Sequence, residues 1–126
     1  MVTWILWALI LAMLAWMGFN YLRIRRAAKI VDNEEFEALI RTGQLIDLRD
    51  PAEFHRKHIL GARNIPSSQL KTSLAALRKD KPVLLYENQR AQRVTNAALY
   101  LKKQGFSDIY ILSYGLDSWK GKVKTS

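Results

Sequence analysis

The side chains able to do chemistry in this chain of 126 residues are few in kind. There are two histidines, His55 and His58, with 11 carboxylates and 20 lysines and arginines, but no cysteine. A disulfide, a thiolate metal site and a thiol nucleophile all need cysteine, so all three are excluded together. Two histidines with no carboxylate cluster at ligand spacing do not make a metal site, and no metal or other cofactor is expected. His55 is expected to be exposed on a short helix, and His58 to be a structural turn residue. Glu87 ends an apolar run and opens a polar loop. It could serve as a general base only beside a partner acid, a metal or a nucleophile, and the sequence supplies none nearby.

The apolar residues, 49% of the chain, are unevenly placed. No charged residue lies between Val2 and Leu22. That run meets the roughly 20 apolar residues a helix needs to cross the hydrocarbon layer. Trp4, Trp7 and Tyr21 stand where interfacial aromatics are expected. No lysine or arginine precedes the run, whereas Arg23, Arg25, Arg26 and Lys29 follow it directly. A cleaved signal peptide has the reverse order, with positive charge first and a small-residue cleavage site after. Residues 1–22 are therefore expected to be a retained anchor in contact with lipid through residues 2–22. Residues 23–29 form a basic juxtamembrane segment. The cations predict a single-pass protein of the cell membrane with its N-terminus outside and the rest cytoplasmic.

Residues 30–126 read as one α/β domain. Asp32 to Glu35 has capping-box spacing, and Phe36, Leu39 and Ile40 give the helix that follows an apolar face, with Gly43 as its stop. Leu45–Leu48, Val83–Tyr86 and Ile109–Leu112 are short apolar runs bounded by turn residues and read as buried strands. Asp50 as cap with Pro51 in the first turn predicts a short helix to about Arg56. Leu70, Leu74 and Leu77 predict a helix over Ser68–Arg78. A polar loop from Glu87 to Gln92 leads into a helix through Lys103 with Val94, Ala97, Ala98 and Leu101 inward. Leu116–Lys120 reads as a last short helix. Such alternation implies a mostly parallel sheet covered on both faces. The domain holds 16 lysines and arginines against 11 carboxylates, dispersed along the chain. Without a basic stripe carrying interleaved aromatics, no nucleic-acid partner is expected.

The stretch from Leu45 to Pro66 is similar to the first signature of rhodanese-like domains. The matching residues are Asp47, Arg49, Glu53, Phe54, His58, Ile59, Gly61, Ala62, Ile65 and Pro66. The second half agrees, since Gly105, Phe106, Ile109, Leu112, Gly115 and Trp119 resemble the family's closing pattern. The resemblance covers residues 28–121 and implies a small domain with a central parallel sheet of about five strands flanked by helices. Asp47, Arg49, Glu53, His58, Gly61, Gly115 and Trp119 are read as structural: Asp47 and Arg49 as loop ties at a strand end, Gly61 as a tight backbone position.

In active members of that family the nucleophile is a cysteine at the end of the strand that here reads Val83–Tyr86. A loop of about five residues curls round it, and its N–H groups with the next helix's N-terminus form an anion cradle that lowers the thiol pKa. Aligned on the strand, the cysteine position is Glu87, followed by Asn88, Gln89, Arg90, Ala91 and Gln92, with Arg93 opening the helix. Arg90 stands where many members have glycine, Gln92 where arginine or lysine is usual, and Tyr114 replaces a glycine at the rim. With no thiol, sulfur transfer by the family mechanism and the related cysteine-dependent phosphatase reaction are excluded. Glu87 has three readings: its carboxylate fills the cradle and locks the loop, it points to solvent, or it is a base for another reaction. The expectation is an inactive domain that binds a protein partner near Glu87–Arg93. An enzyme or small-anion sensor centred on Glu87 is the alternative.

Overall fold

A computed structural model of the chain describes residues 2–89 and 92–125, with all their side chains except those of Ile24 and Arg25. Helix α1 spans Val2–Ala27. The chain then runs through β1 (Lys29–Val31), α2 (Asn33–Ile40), β2 (Gln44–Asp47), α3 (Pro51–Arg56), β3 (Lys57–Ile59) and β4 (Arg63–Asn64). Two 3₁₀ segments, Ser67–Gln69 and Lys71–Ala76, lead to β5 (Val83–Tyr86) and α4 (Gln92–Lys103). Strand β6 (Ile109–Leu112), a 3₁₀ turn (Leu116–Ser118) and β7 (Val123–Thr125) complete it.

The segment Val2–Arg23 of α1 is long and apolar enough to cross a membrane, and none of its most apolar stretch is buried against the rest of the chain. The helix does not stop where the apolar run ends. It takes in Arg23, Arg25 and Arg26 and closes at Ala27, so the basic segment 23–29 consists of the C-terminal end of α1, Ala28 and the first residue of β1. Arginine is a good helix former, which lets the turn continue. Ala27 and Ala28 are both buried, and α1 touches α4.

Five strands form one sheet in the order β1-β6-β5-β2-β4, every adjacent pair parallel. Side chains alternate across it, as the period of a strand requires. Ile46, Val83, Leu85 and Ile111 point to one face, where α4 brings Val94, Ala97, Ala98 and Leu101. Leu45, Leu84, Tyr86 and Leu112 point to the other, under Phe36 and Trp119. Both faces are covered, which explains why β5 reads as an unbroken apolar run.

Helix α2 starts as its capping spacing predicts, with Asp32 Oδ1 accepting the Glu35 N–H at 2.9 Å. Other local expectations are corrected. Strand β2 is Gln44–Asp47, with Leu48 buried just beyond it. Asp50 is exposed and makes no capping bond; Pro51, which has no N–H to satisfy, starts α3 on its own. Ser68–Arg78 is not an α-helix but the two 3₁₀ segments. Leu70 and Leu77 are buried, yet Ser and Thr between them favour local side-chain bonds, and Thr72 Oγ1 donates to the Gln69 carbonyl at 2.9 Å. The closing helix at 116–120 is a single 3₁₀ turn. Strands β3 and β7 pair antiparallel as a separate ribbon that the sequence reading did not anticipate.

Candidate functional site

In a parallel sheet all strands end at the same edge, and the loops leaving that edge meet one another. Three of them are Leu48–Asp50 after β2, Glu87–Gln89 after β5 and Ser113–Gly115 after β6.

Asp47 closes β2 and is fully buried; Arg49 follows in the loop and is nearly so. The two form a forked pair, Arg49 Nε to Asp47 Oδ1 at 3.0 Å and Nη2 to Oδ2 at 2.8 Å. The Arg49 backbone N–H adds a third bond to Oδ1 at 2.9 Å. The remaining guanidinium donors reach outward: Nη1 gives to Asn88 Oδ1 at 2.9 Å, and Nη2 also gives to the Lys57 carbonyl. Asn88 in turn donates Nδ2 to Glu53 Oε2 at 2.8 Å. Asp47, Arg49, Glu53 and Asn88 thus form one network joining the ends of β2 and β5 to α3. Burial works against the Arg49 charge, but the hydrogen bond and charge of Asp47 outweigh it and hold the guanidinium pKa above its ordinary value.

Tyr86, the last residue of β5, lies under this network. Its hydroxyl accepts the Ile59 N–H at 3.1 Å, tying β5 to β3. Burial pushes its phenol pKa up, and the Asp47 charge adds to that. His58 is buried, with Nδ1 2.7 Å from the Phe54 carbonyl and its ring stacked on Phe54 at 3.8 Å between centroids. His55 is exposed on α3. Trp119 is buried edge-on against Phe36, 5.9 Å between centroids.

Glu87 turns inward. It is only 8% exposed, and its Oε2 accepts the backbone N–H of Val94 at 2.8 Å. Val94 is the third residue of α4, one of the positions whose N–H has no partner within a helix. Arg90 and Ala91, immediately before the helix, have no acceptor in their side chains. The carboxylate supplies one from seven residues back, at the end of the helix dipole that favours negative charge. Of the three readings of Glu87, the solvent-facing one does not match this geometry, in which the carboxylate is buried and bonded to the Val94 N–H. Arg90 and Ala91 themselves lie outside the described residues. Gln92 and Arg93 are exposed, and Gln92 Nε2 donates along the helix to Asn96 Oδ1 at 3.0 Å.

The third loop closes the site from behind. The carbonyls of Glu87 and Asn88 accept the N–H groups of Leu116 and Asp117 at 2.8 and 3.0 Å. Gly115 has φ +70, and a Cβ there would land on those same carbonyls. Gly61 has φ +90 but open space around it, so its glycine answers to backbone conformation alone. Gln89 Nε2 donates to Asp117 Oδ2 at 3.3 Å, and Tyr114 stands 70% exposed at the rim. Among the described residues, no three of Asp, Glu and His gather as metal ligands would. What the sequence reading missed is the part played by main-chain groups, the Val94 N–H and the Lys57 carbonyl. Neither leaves a side-chain signal.

The parallel five-stranded sheet, the forked Asp47–Arg49 pair and the Glu87 carboxylate bonded at the head of α4 are set out as in a rhodanese-like domain, and the chain belongs to that family, which it matches over residues 32–122. It is 47% identical over 113 residues to the uncharacterized protein YqhL of Bacillus subtilis, covering 90% of this chain and 89% of that one. It is 35% identical over 95 residues to the thiosulfate sulfurtransferase GlpE of Stutzerimonas stutzeri, covering 73% of this chain and 84% of the relative. A rhodanese-related protein from Thermoplasma volcanium shares the fold at a TM-score of 0.70 and 23% identity, over 78% of this chain and 99% of the other.

Proposed function

We propose that this chain is a membrane-anchored rhodanese-like domain that performs no sulfur transfer and serves as a protein-binding module on the cytoplasmic face. The observation that carries the reading is Glu87. It stands where the family's active members place a cysteine, and its carboxylate is engaged by the Val94 N–H. A carboxylate cannot hold a transferable sulfur, and this sequence has no thiol elsewhere to take its place. A fixed carboxylate also repels other anions from the same N–H groups, which weighs against an anion sensor.

Anchoring is supported by the order of charge around the apolar run, with cations only after it. It is supported too by the passage of α1 straight into buried Ala27 and Ala28, which makes the helix part of the folded unit. The partner surface is the rim of the former site, where Gln89, Arg93 and Tyr114 are exposed over a fixed floor.

The test is sulfur transfer from thiosulfate to cyanide by the purified full chain beside a Glu87→Cys variant. No turnover is expected from the unaltered chain, and measurable turnover overturns the reading. Activity gained by the variant shows that the cradle still suits a thiolate. Crosslinking in intact membranes tests the binding role: if Glu87→Ala and Tyr114→Ala leave every captured partner unchanged, docking at this rim is wrong. Removal of the domain by protease added outside intact cells would reverse the topology.

A further inference from the structure

The lysines and arginines that are dispersed in sequence are gathered in space. The segments feeding the N-terminal ends of the strands are 41–43, 78–82 and 102–108, together with Lys29 at the start of β1. They touch one another: Gln44 Nε2 donates to the Arg78 carbonyl at 2.8 Å, the Val83 N–H donates to the Asp108 carbonyl at 2.8 Å, and Lys79 lies over the Phe106 ring at 5.8 Å. On this edge stand Lys29, Arg41, Arg78, Lys79, Lys81, Lys102 and Lys103, all exposed. The only carboxylates in those segments are Asp80, paired with Arg78 at 2.6 Å, and Asp108. The opposite edge has the other balance. Among the described residues, its segments 32–33, 48–53, 87–89, 92–93 and 113–117 carry Asp32, Asp50, Glu53, Glu87 and Asp117 against Arg49 and Arg93.

The basic edge is also where α1 joins the domain, because Lys29 follows Ala27 by two positions. Five helical steps of about 1.5 Å take the chain from Leu22, the last residue of the apolar run, to Ala27, and two extended steps of about 3.3 Å bring it to Lys29, some 14 Å of chain in all. That is under two screening lengths at physiological salt, so the edge that Lys29 opens lies near the surface the apolar run would cross.

We infer that the N-terminal edge of the sheet is a docking face for an anionic lipid leaflet, holding the domain with Lys79, Lys81, Lys102 and Lys103 against the headgroups and the Glu87 rim turned away. The inference rests on the anchoring reading above. It adds to it a second attachment, electrostatic and sensitive to lipid composition, which a helix alone does not provide.

The experiment places the full chain in nanodiscs of phosphatidylcholine alone or of an equimolar mixture with phosphatidylglycerol, each with spin-labelled headgroups, and reads the broadening of backbone amide signals. In the anionic discs the amides of Lys79, Lys81, Lys102 and Lys103 are expected to lose intensity, while those of Gln89 and Tyr114 keep it. In neutral discs the contrast falls. The variant Lys79→Gln/Lys81→Gln/Lys103→Gln is expected to abolish the dependence on lipid charge, its amide spectrum reporting that it remains folded. Broadening that is absent, equal at both edges or indifferent to lipid charge overturns the inference and leaves anchoring intact. A chain that does not enter the discs at all overturns both. Binding of a single-stranded oligonucleotide at the same lysines, without lipid-dependent broadening, would assign the edge to nucleic acid instead.

Discussion

The guanidinium of Arg49 and the side-chain amide of Asn88 meet at 2.9 Å across the gap between the ends of β2 and β5. The bond couples the Asp47–Arg49 pair to the residue that follows Glu87, so the chain leaving β5 is held at Asn88 by a buried ion pair at the end of the neighbouring strand. Glu53 completes the hold from α3 by accepting the other end of the Asn88 amide.

Replacing Arg49 by Ala leaves Asp47 charged and buried without its partner. A loss of about 3–5 kcal/mol in unfolding free energy is expected. Arg49→Lys is also expected to be costly, because an ammonium cannot reproduce the fork. Urea denaturation measures both. In the double variant Asp47→Ala/Arg49→Ala the loss should fall short of the sum of the single ones, since neither charge is then stranded.

Glu87→Ala removes the acceptor at the head of α4. The expected loss is about 1 kcal/mol, the usual cost of an N-terminal helix cap. Glu87→Gln keeps an oxygen for the Val94 N–H and should cost less. Amide hydrogen exchange at Val94 distinguishes a cap from general packing: it should quicken in Glu87→Ala well before the centre of β5 responds.

Two of the three positive-φ glycines among the described residues, Gly61 and Gly115, should respond differently to alanine. At Gly61, where nothing lies near an added Cβ, the cost is conformational, about 1–2 kcal/mol. At Gly115 the same strain is joined by collision with the carbonyls of Glu87 and Asn88, so the loss should be larger and should carry shifted signals at Leu116 and Asp117. Equal losses at the two sites would show that the loop behind Glu87 yields easily.

Alkaline pH provides a check on Tyr86. Its phenol pKa is raised in the folded chain above the ordinary value of 10.0, by burial first and then by Asp47. The unfolded chain therefore releases this proton sooner. The stability it contributes is complete below pH 10.0 and is lost as the pH climbs above that value. Unfolding free energy followed upward from neutral pH should bend down there, and Tyr86→Phe should flatten the bend while losing the bond to the Ile59 N–H.

What could be read from the sequence is what local pattern encodes. The runs Val83–Tyr86 and Ile109–Leu112 are apolar because both sheet faces are covered, and α2 carries its start in Asp32 and Glu35. Strands β1, β3, β4 and β7 have two or three residues each and exist through their partners, as Lys29–Val31 does beside β6. No local pattern announces them. At the site, Asp47, Arg49 and Glu53 could be named from spacing and family likeness, yet their meeting at Asn88 depends on strand order. The bond from Glu87 to Val94 was invisible for another reason, since its donor is main chain. The basic edge was hidden because Arg41, Arg78 and Lys103 lie far apart until parallel strands bring their starting points together.

The bond at the head of α4 also bears on how this sequence can change. A thiol at residue 87 is a weak acceptor beside a carboxylate. A substitution to cysteine would therefore gain a nucleophile and lose a helix cap at once. Natural domains stand only a little above the stability they need. Selection for a well-folded chain would thus work against a cysteine at that position, even one that brought a nucleophile with it.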